Sequence, residues 1–220
     1  MAKIILVTGG SRSGKSIFAE SICEYKKDKT AYIATSIPFD EEMKDRVKKH
    51  RENRNQNWKT YESYSDVHLL IPEISCDFNT VLLDCVTLMV TNLMFDYEAK
   101  LKDNKYKSTN SDDNLQKTPA NAMDYDTELN YGDGIEGYNS NQIDILKSYV
   151  DSQIESLLSA IEETDLYCVF VTNELGMGIM PDNKLSRVYI DIAGKVNQRI
   201  AERSDEVYLT VSGIPVKIKG

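Results

Sequence analysis

An α/β fold, a mostly parallel sheet with helices on both faces, is predicted by two features of this 220-residue chain. The first is the β-branched apolar run Ile4-Ile5-Leu6-Val7-Thr8, which passes directly into Gly9-Gly10-Ser11-Arg12-Ser13-Gly14-Lys15-Ser16. The residues that follow, Ile17-Phe18-Ala19-Glu20-Ser21-Ile22-Cys23, carry apolar side chains at helical spacing. The second is the alternation of short apolar strands with helical patterns over the rest of the chain, as crossover helices between parallel strands require.

Taken in order, Ala31-Tyr32-Ile33-Ala34-Thr35 reads as a short buried strand. Asp40 to Asn53 is charged and helix-favouring, with Met43 and Val47 facing inward. Trp58 to Tyr61 suits another short strand, and a helix is expected near Asp66 to Ile71. Val81-Leu82-Leu83-Asp84 is a buried strand ending in an acid, with a helix from Thr87. A long amphipathic helix covers Ile143 to Ile161, a strand Leu166 to Thr172, and a helix Leu185 to Arg203. Glu206 to Val211 and Val216 to Ile218 close the chain as a pair of strands. Between Lys100 and Asn141 the pattern breaks into Asn, Asp, Lys, Tyr and Gly with only isolated apolar residues. Such a composition cannot bury enough apolar area to offset its ordering entropy. The expectation is a single domain, residues 1–220, with a mobile insertion at about 100–141.

Bulk properties exclude several function classes. A formal net charge of −9 gives no electrostatic footprint for DNA or RNA. The four cysteines, Cys23, Cys76, Cys85 and Cys168, form no C-x-x-C pair and have no neighbouring histidine, so neither zinc nor a disulfide framework is indicated. No apolar run approaches a membrane span, and the chain enters a core strand within three residues of its start, so a cytoplasmic protein is expected.

Residues 9–16 form G-x-x-x-x-G-K-S between a strand and a helix, the context that gives this motif its meaning as a phosphate-binding P-loop. Its glycines let backbone N–H groups surround a phosphate, and the helix N-terminus adds positive potential. Lys15 then reaches the β- and γ-phosphates while Ser16 ligates Mg²⁺. Asp84 at a strand end can hold Mg²⁺ through water or bind a nucleotide directly, the alternative being the N-cap of the next helix. Lys49-His50-Arg51-Glu52-Asn53-Arg54 is either a solvated helix face or a neutral imidazole nucleophile flanked by arginines that hold the attacked phosphate. Val171 to Pro181 leaves a strand through a loop with Asn173, Glu174, Gly176 and Gly178, the layout of a substrate loop or of a simple turn. Gly194, inside a helical pattern with Asp191, Asn197 and Gln198, implies a close backbone approach. His68 has no partners in sequence and reads as structural.

Together these residues resemble the bifunctional adenosylcobinamide kinase and adenosylcobinamide-phosphate guanylyltransferase family. Its N-terminal half is matched by residues 9–16, Tyr32 to Ser36, Met43, Arg46-Val47, His50-Arg51, Arg54 and Trp58. Its C-terminal half is matched by Asp84 to Thr87, Thr91-Asn92, Thr172 to Pro181, Asp191, Gly194, Asn197-Gln198 and Val211 to Pro215. The resemblance implies a RecA-like P-loop fold, a corrinoid substrate, ATP and GTP as nucleotides, Mg²⁺, and a trimer. It implies that His50 takes GMP covalently, and that Lys15 acts in catalysis. It also implies nucleotide contacts at Gly9, Gly10, Ser11, Arg12, Ser13, Gly14, Lys15, Ser16, Ala34, Thr35, Ser36, Arg51, Glu52, Asn53, Arg54, Glu62 and Asp84. Either Glu62 or Asp84 is placed to read the guanine N1–H and N2–H₂ donors. Asn55 and Met180 depart from residues common in that family, and the insertion is longer than expected. A monofunctional P-loop kinase, with His50 idle, and a RecA-like binding ATPase are the competing classes.

Overall fold

The computed structural model describes residues 1–36, 55, 57–109 and 133–220. Within them seven strands form one sheet: β1 (Lys3–Gly9), β2 (Thr30–Ala34), β3 (Lys59–Glu62), β4 (Thr80–Asp84), β5 (Tyr167–Asn173), β6 (Glu206–Val211) and β7 (Ile214–Lys219). Their spatial order is β3-β2-β4-β5-β1-β6-β7, parallel from β3 to β6, with β7 antiparallel on β6. Strand β5 therefore separates β1, which feeds the P-loop, from β4, which ends in Asp84. That separation is the RecA-like order.

Among the described residues six helices accompany the sheet: α1 (Lys15–Lys26), α2 (Ile71–Asp77), α3 (Val86–Thr109), α4 (Asp133–Glu136), α5 (Ser140–Glu162) and α6 (Lys184–Arg203). Because side chains alternate along a strand, β1 turns Ile5 and Val7 to one face and Ile4 and Leu6 to the other. The first face is packed by Ala19 and Cys23 of α1, with Phe18 and Ile22 against them. The second carries the larger core, filled by Met89 and Leu93 of α3, Val150 and Leu157 of α5, and Ile192 and Val196 of α6. Near-continuous apolar strands are what burial on both faces demands.

Two expectations change. The helix near Asp66 to Ile71 is instead a 3₁₀ turn, Val67–Leu69, followed by α2, whose first turn holds Pro72. Proline there lacks only an N–H that the helix would leave unpaired anyway. The insertion at 100–141 is too wide at both ends. The backbone of α3 stays helical to Thr109, and the chain is helical again from Asp133. Ile135 and Tyr138 are buried in the larger core, and the Gly134 N–H donates to Glu98 Oε1 of α3 at 3.0 Å. Asn139 and Gln142 form a reciprocal capping box that starts α5. Isolated apolar residues in a polar stretch look like surface in sequence, but here the flanking helices carry them to the core. Residues 110–132, and the helix expected over Asp40 to Asn53, lie outside the described residues. Cys23, Cys85 and Cys168 are buried, whereas Cys76 is exposed.

Candidate active site at the carboxyl edge of the sheet

Strand register gathers the sequence-derived residues along one edge. Glu62 pairs with Ala34, and Ala34 with Asp84. Asn173 pairs with Gly9, and Gly9 with Thr210. All of these lie at the carboxyl ends of parallel strands, where ligands of open α/β sheets bind.

The P-loop turns from β1 into α1 with Gly14 at the helix N-cap in the left-handed region, φ 92° and ψ 5°, where a side chain is strained. No side chain caps α1, so its first N–H groups are available to an anion. Lys15 is 8% exposed, and its Nζ donates to Gly10 O at 2.8 Å. Burial lowers its pKa, opposed by the nearby Cys85 and Asp84. The Ser13 hydroxyl is buried without a hydrogen-bond partner. An unpaired hydroxyl, free helix N–H groups and a lysine resting on its own loop carbonyl fit a phosphate chain. Ser11 and Arg12 are exposed on the outer arc, with Arg12 at φ 56°.

The β6–β7 hairpin braces this loop. Its turn residues Ser212 and Gly213 both have positive φ, 51° and 83°, as a tight two-residue hairpin requires. The Gly213 N–H donates to Ser13 O at 2.8 Å. A Cβ on Gly9 would lie 2.5 Å from Thr210 O, so β6 presses directly on the entrance of the loop.

Beside the P-loop, one Asp84 oxygen accepts the Tyr32 hydroxyl at 3.1 Å. Asp84 ends β4 and α3 begins at Val86. Thr35 is occupied internally: its hydroxyl donates to Cys85 O at 2.7 Å and accepts the Cys85 N–H at 2.9 Å, and its carbonyl accepts Asn92 Nδ2 at 2.6 Å. It therefore holds the end of β2 against the start of α3, leaving Ala34 and half-buried Ser36 as the nearer nucleotide candidates. Burial pushes the Cys85 thiol up to about 11, which makes it an inert packing residue. Asn173 Nδ2 donates to Thr87 Oγ1 at 2.7 Å, and Asn197 ties α6 to β5 through Thr172 Oγ1 at 2.7 Å and Asn173 O at 3.0 Å. The Glu174 N–H donates to Gly9 O at 3.0 Å, so the loop after β5 hangs from the first residue of the P-loop.

Ser16 and Asp84 offer hard oxygen donors from the two sides of this edge, the chemistry Mg²⁺ prefers. Among the described residues no cluster of three or more His, Cys, Asp or Glu could hold a metal by itself. An ion held by one or two protein oxygens and by substrate phosphates needs no such cluster. Glu62 is exposed at the end of β3. His50, Arg51, Glu52, Asn53 and Arg54 lie outside the described residues. His68 sits in the 3₁₀ turn with Nδ1 buried and without a partner. Sequence reasoning missed Thr210 and Gly213 as walls of the P-loop, and Tyr32 as the partner of Asp84. Only tertiary pairing across the sheet reveals them, although Ser212-Gly213 between two strands was a readable hairpin signal.

A profile of the family "Cobinamide kinase / cobinamide phosphate guanyltransferase" matches residues 5–218. The chain belongs to this family. The bifunctional adenosylcobalamin biosynthesis protein CobU of Escherichia coli (strain K12) is 38% identical over 216 residues, covering 98% of this chain and 99% of its own length. CobU of Salmonella typhimurium (strain LT2) is 37% identical with the same coverage. The bifunctional adenosylcobalamin biosynthesis protein CobP of Pseudomonas aeruginosa is 30% identical over 215 residues, covering 98% of this chain and 96% of its own. Membership of the cobinamide kinase and guanyltransferase family accounts for a P-loop that serves nucleoside triphosphates. No helix among the described residues is long and apolar enough to cross a membrane.

Proposed function

We propose that this protein phosphorylates the hydroxyl of adenosylcobinamide and then joins GMP from GTP to the resulting phosphate, giving adenosylcobinamide-GDP. The family match over residues 5–218 carries this reading, and the P-loop geometry supports it. In the kinase step Lys15 shifts from Gly10 O to the phosphate chain, and the first N–H groups of α1 offset the charge on the transferring γ-phosphoryl. Ser16 and Asp84 are the residues that would hold Mg²⁺, which when bound neutralises charge on the phosphate oxygens.

In the second step a nitrogen of His50 attacks the α-phosphorus of GTP, the α–β bridging P–O bond breaks, and pyrophosphate leaves. An oxygen of adenosylcobinamide phosphate then displaces the imidazole from phosphorus, forming the diphosphate bond and restoring His50. A neutral imidazole carries its own lone pair and attacks phosphorus without a separate base. Arg51 and Arg54 steady the attacked phosphate, and Glu62 or Asp84 receives the guanine donors. The reading includes a cytoplasmic trimer of single-domain subunits.

GTP labelled at the α-phosphate tests the covalent step. The protein should keep the label after denaturation, release pyrophosphate, and lose the label in acid but not in alkali, as an N–P bond does. His50→Ala should abolish labelling and His68→Ala should not. A wild-type protein that phosphorylates adenosylcobinamide yet never acquires label would leave only the kinase.

A further inference from the structure

On the sheet face that carries α1, the side chain of Tyr32 in β2 reaches Asp84 at the carboxyl end of β4. Tyr32 pairs with Leu82, and Asp84 stands two residues further along that strand, so both side chains leave the sheet on one face. Tyr32 is 1% exposed, and the buried cluster it belongs to, with Val7, Leu82 and Val171, is apolar. A phenylalanine would fill that space with no polar group to satisfy. The chain instead buries a hydroxyl and aims it at the acid, where it donates to Asp84 Oδ2 at 3.1 Å. The ring that carries this donor is itself held. Trp58 stacks on it, with ring centroids 6.5 Å apart and planes 26° apart. The Trp58 N–H donates to Asn55 O at 3.1 Å, and Asn55 Nδ2 donates to Glu24 Oε1 of α1 at 3.3 Å. The helix that starts at the P-loop therefore braces the Asp84 carboxylate through Asn55, Trp58 and Tyr32.

We infer that Tyr32 is a positioning residue for the nucleotide's Mg²⁺: its hydroxyl fixes the rotation of the Asp84 carboxylate and so presents the other oxygen to the ion or to a water on it. The inference rests on the Mg²⁺ role of Asp84 proposed above. A carboxylate at a strand end turns about its Cβ–Cγ bond unless a partner holds it, and among the described residues no other hydrogen bond engages the Asp84 side chain. A phenol that donates to a carboxylate makes a strong, directional bond, which occupies one oxygen and leaves the second as a hard donor. The charge of Asp84 acts on Lys15, so the carboxylate lies on the side of the phosphate site. An outer partner that orients a metal-binding carboxylate raises the affinity for the ion without touching it.

The test uses the full-length protein and a GTP analogue with a methylene bridge between its α- and β-phosphorus, which cannot release pyrophosphate. Calorimetric titrations in Mg²⁺ and in EDTA give the factor by which the ion strengthens binding, with neither corrinoid nor turnover required. Tyr32→Phe keeps the ring, suits the apolar cluster and deletes only the hydroxyl. It should leave binding in EDTA unchanged and cut the Mg²⁺ factor about tenfold or more. Asp84→Asn should cut the factor at least as far, and Tyr32→Phe added to Asp84→Asn should cut it no further, because both act through one carboxylate. Trp58 is the single tryptophan of the chain, so an unchanged emission spectrum in Tyr32→Phe shows that the stack survives. An unchanged Mg²⁺ factor in Tyr32→Phe, even with lowered stability in urea, would overturn the assignment and leave Tyr32 a packing residue. So would an equal further loss in the double variant. An undiminished factor in Asp84→Asn would instead remove the Mg²⁺ role of Asp84 on which the inference rests.

Discussion

Gly9→Ala should disable the phosphate cradle while leaving the fold in place, and the structure sets the scale of the effect. The new Cβ would lie 2.5 Å from Thr210 O and 2.6 Å from Ser13 Oγ, whereas ordinary contact begins at 3.4 Å. The serine hydroxyl can rotate away. The Thr210 carbonyl cannot, because Gly9 and Thr210 are register partners in the parallel β1–β6 pair. The loop must therefore move by about 0.9 Å, and a misplacement near 1 Å of groups that position a reacting phosphate lowers rate on the order of 10²-fold. Gly10→Ala is the matched control, since a Cβ at Gly10 meets nothing within 4 Å and its φ is not positive. Steady-state kinase assays with labelled ATP and adenosylcobinamide, together with urea unfolding of both variants, make the comparison. The expectation is a loss of about 10² in kcat/KM for Gly9→Ala and near-normal activity for Gly10→Ala. Equal activity of the two variants, whether both high or both low, would refute the argument that the Thr210 wall shapes the loop.

Lys15→Ala and Ser16→Ala should each abolish both activities and weaken triphosphate binding, read by kinetics and by calorimetric titration; for Lys15 the loss in rate should be on the order of 10²–10³ or more. Asn197→Ala should lower unfolding stability by about 1–3 kcal/mol in urea melts, because it strands the Thr172 hydroxyl and the Asn173 carbonyl. Glu206 is held down to about 2 from its usual 4.5 by hydrogen bonds from Lys3, Tyr208 and Lys217. A depressed carboxylate pKa contributes stability that is fully present above 4.5 and is lost as pH falls toward 2. Glu206→Gln should remove that component, so a pH series of thermal melts should fall less steeply from pH 4.5 downward than in wild type; identical slopes would exclude the role.

The fold class, the P-loop and the family were legible in residues 4–16 and in the alternation of strands and helices, because these are local patterns. A buried strand, a glycine loop and a helix start each announce themselves within a few residues. The order of strands was not local, and it decides the site. Register alone brings Glu62, Ala34, Asp84, Asn173 and Gly9 to one edge, although they are distant in the chain. Thr35 illustrates the limit: the family resemblance offered it to the nucleotide, yet its hydroxyl closes a reciprocal pair with Cys85, a partner no sequence spacing reveals. Gly194 illustrates the reverse, since its oddity was visible in sequence while the open space beside it, with no atom within 4 Å of where a Cβ would lie, needed three dimensions. The carboxyl end of the polar stretch was misjudged for the same reason, because Ile135 and Tyr138 are buried by helices that meet only when the chain is folded. Local chemistry thus determined what this protein can bind, and the packing of distant segments decided which of its groups remain free to do so.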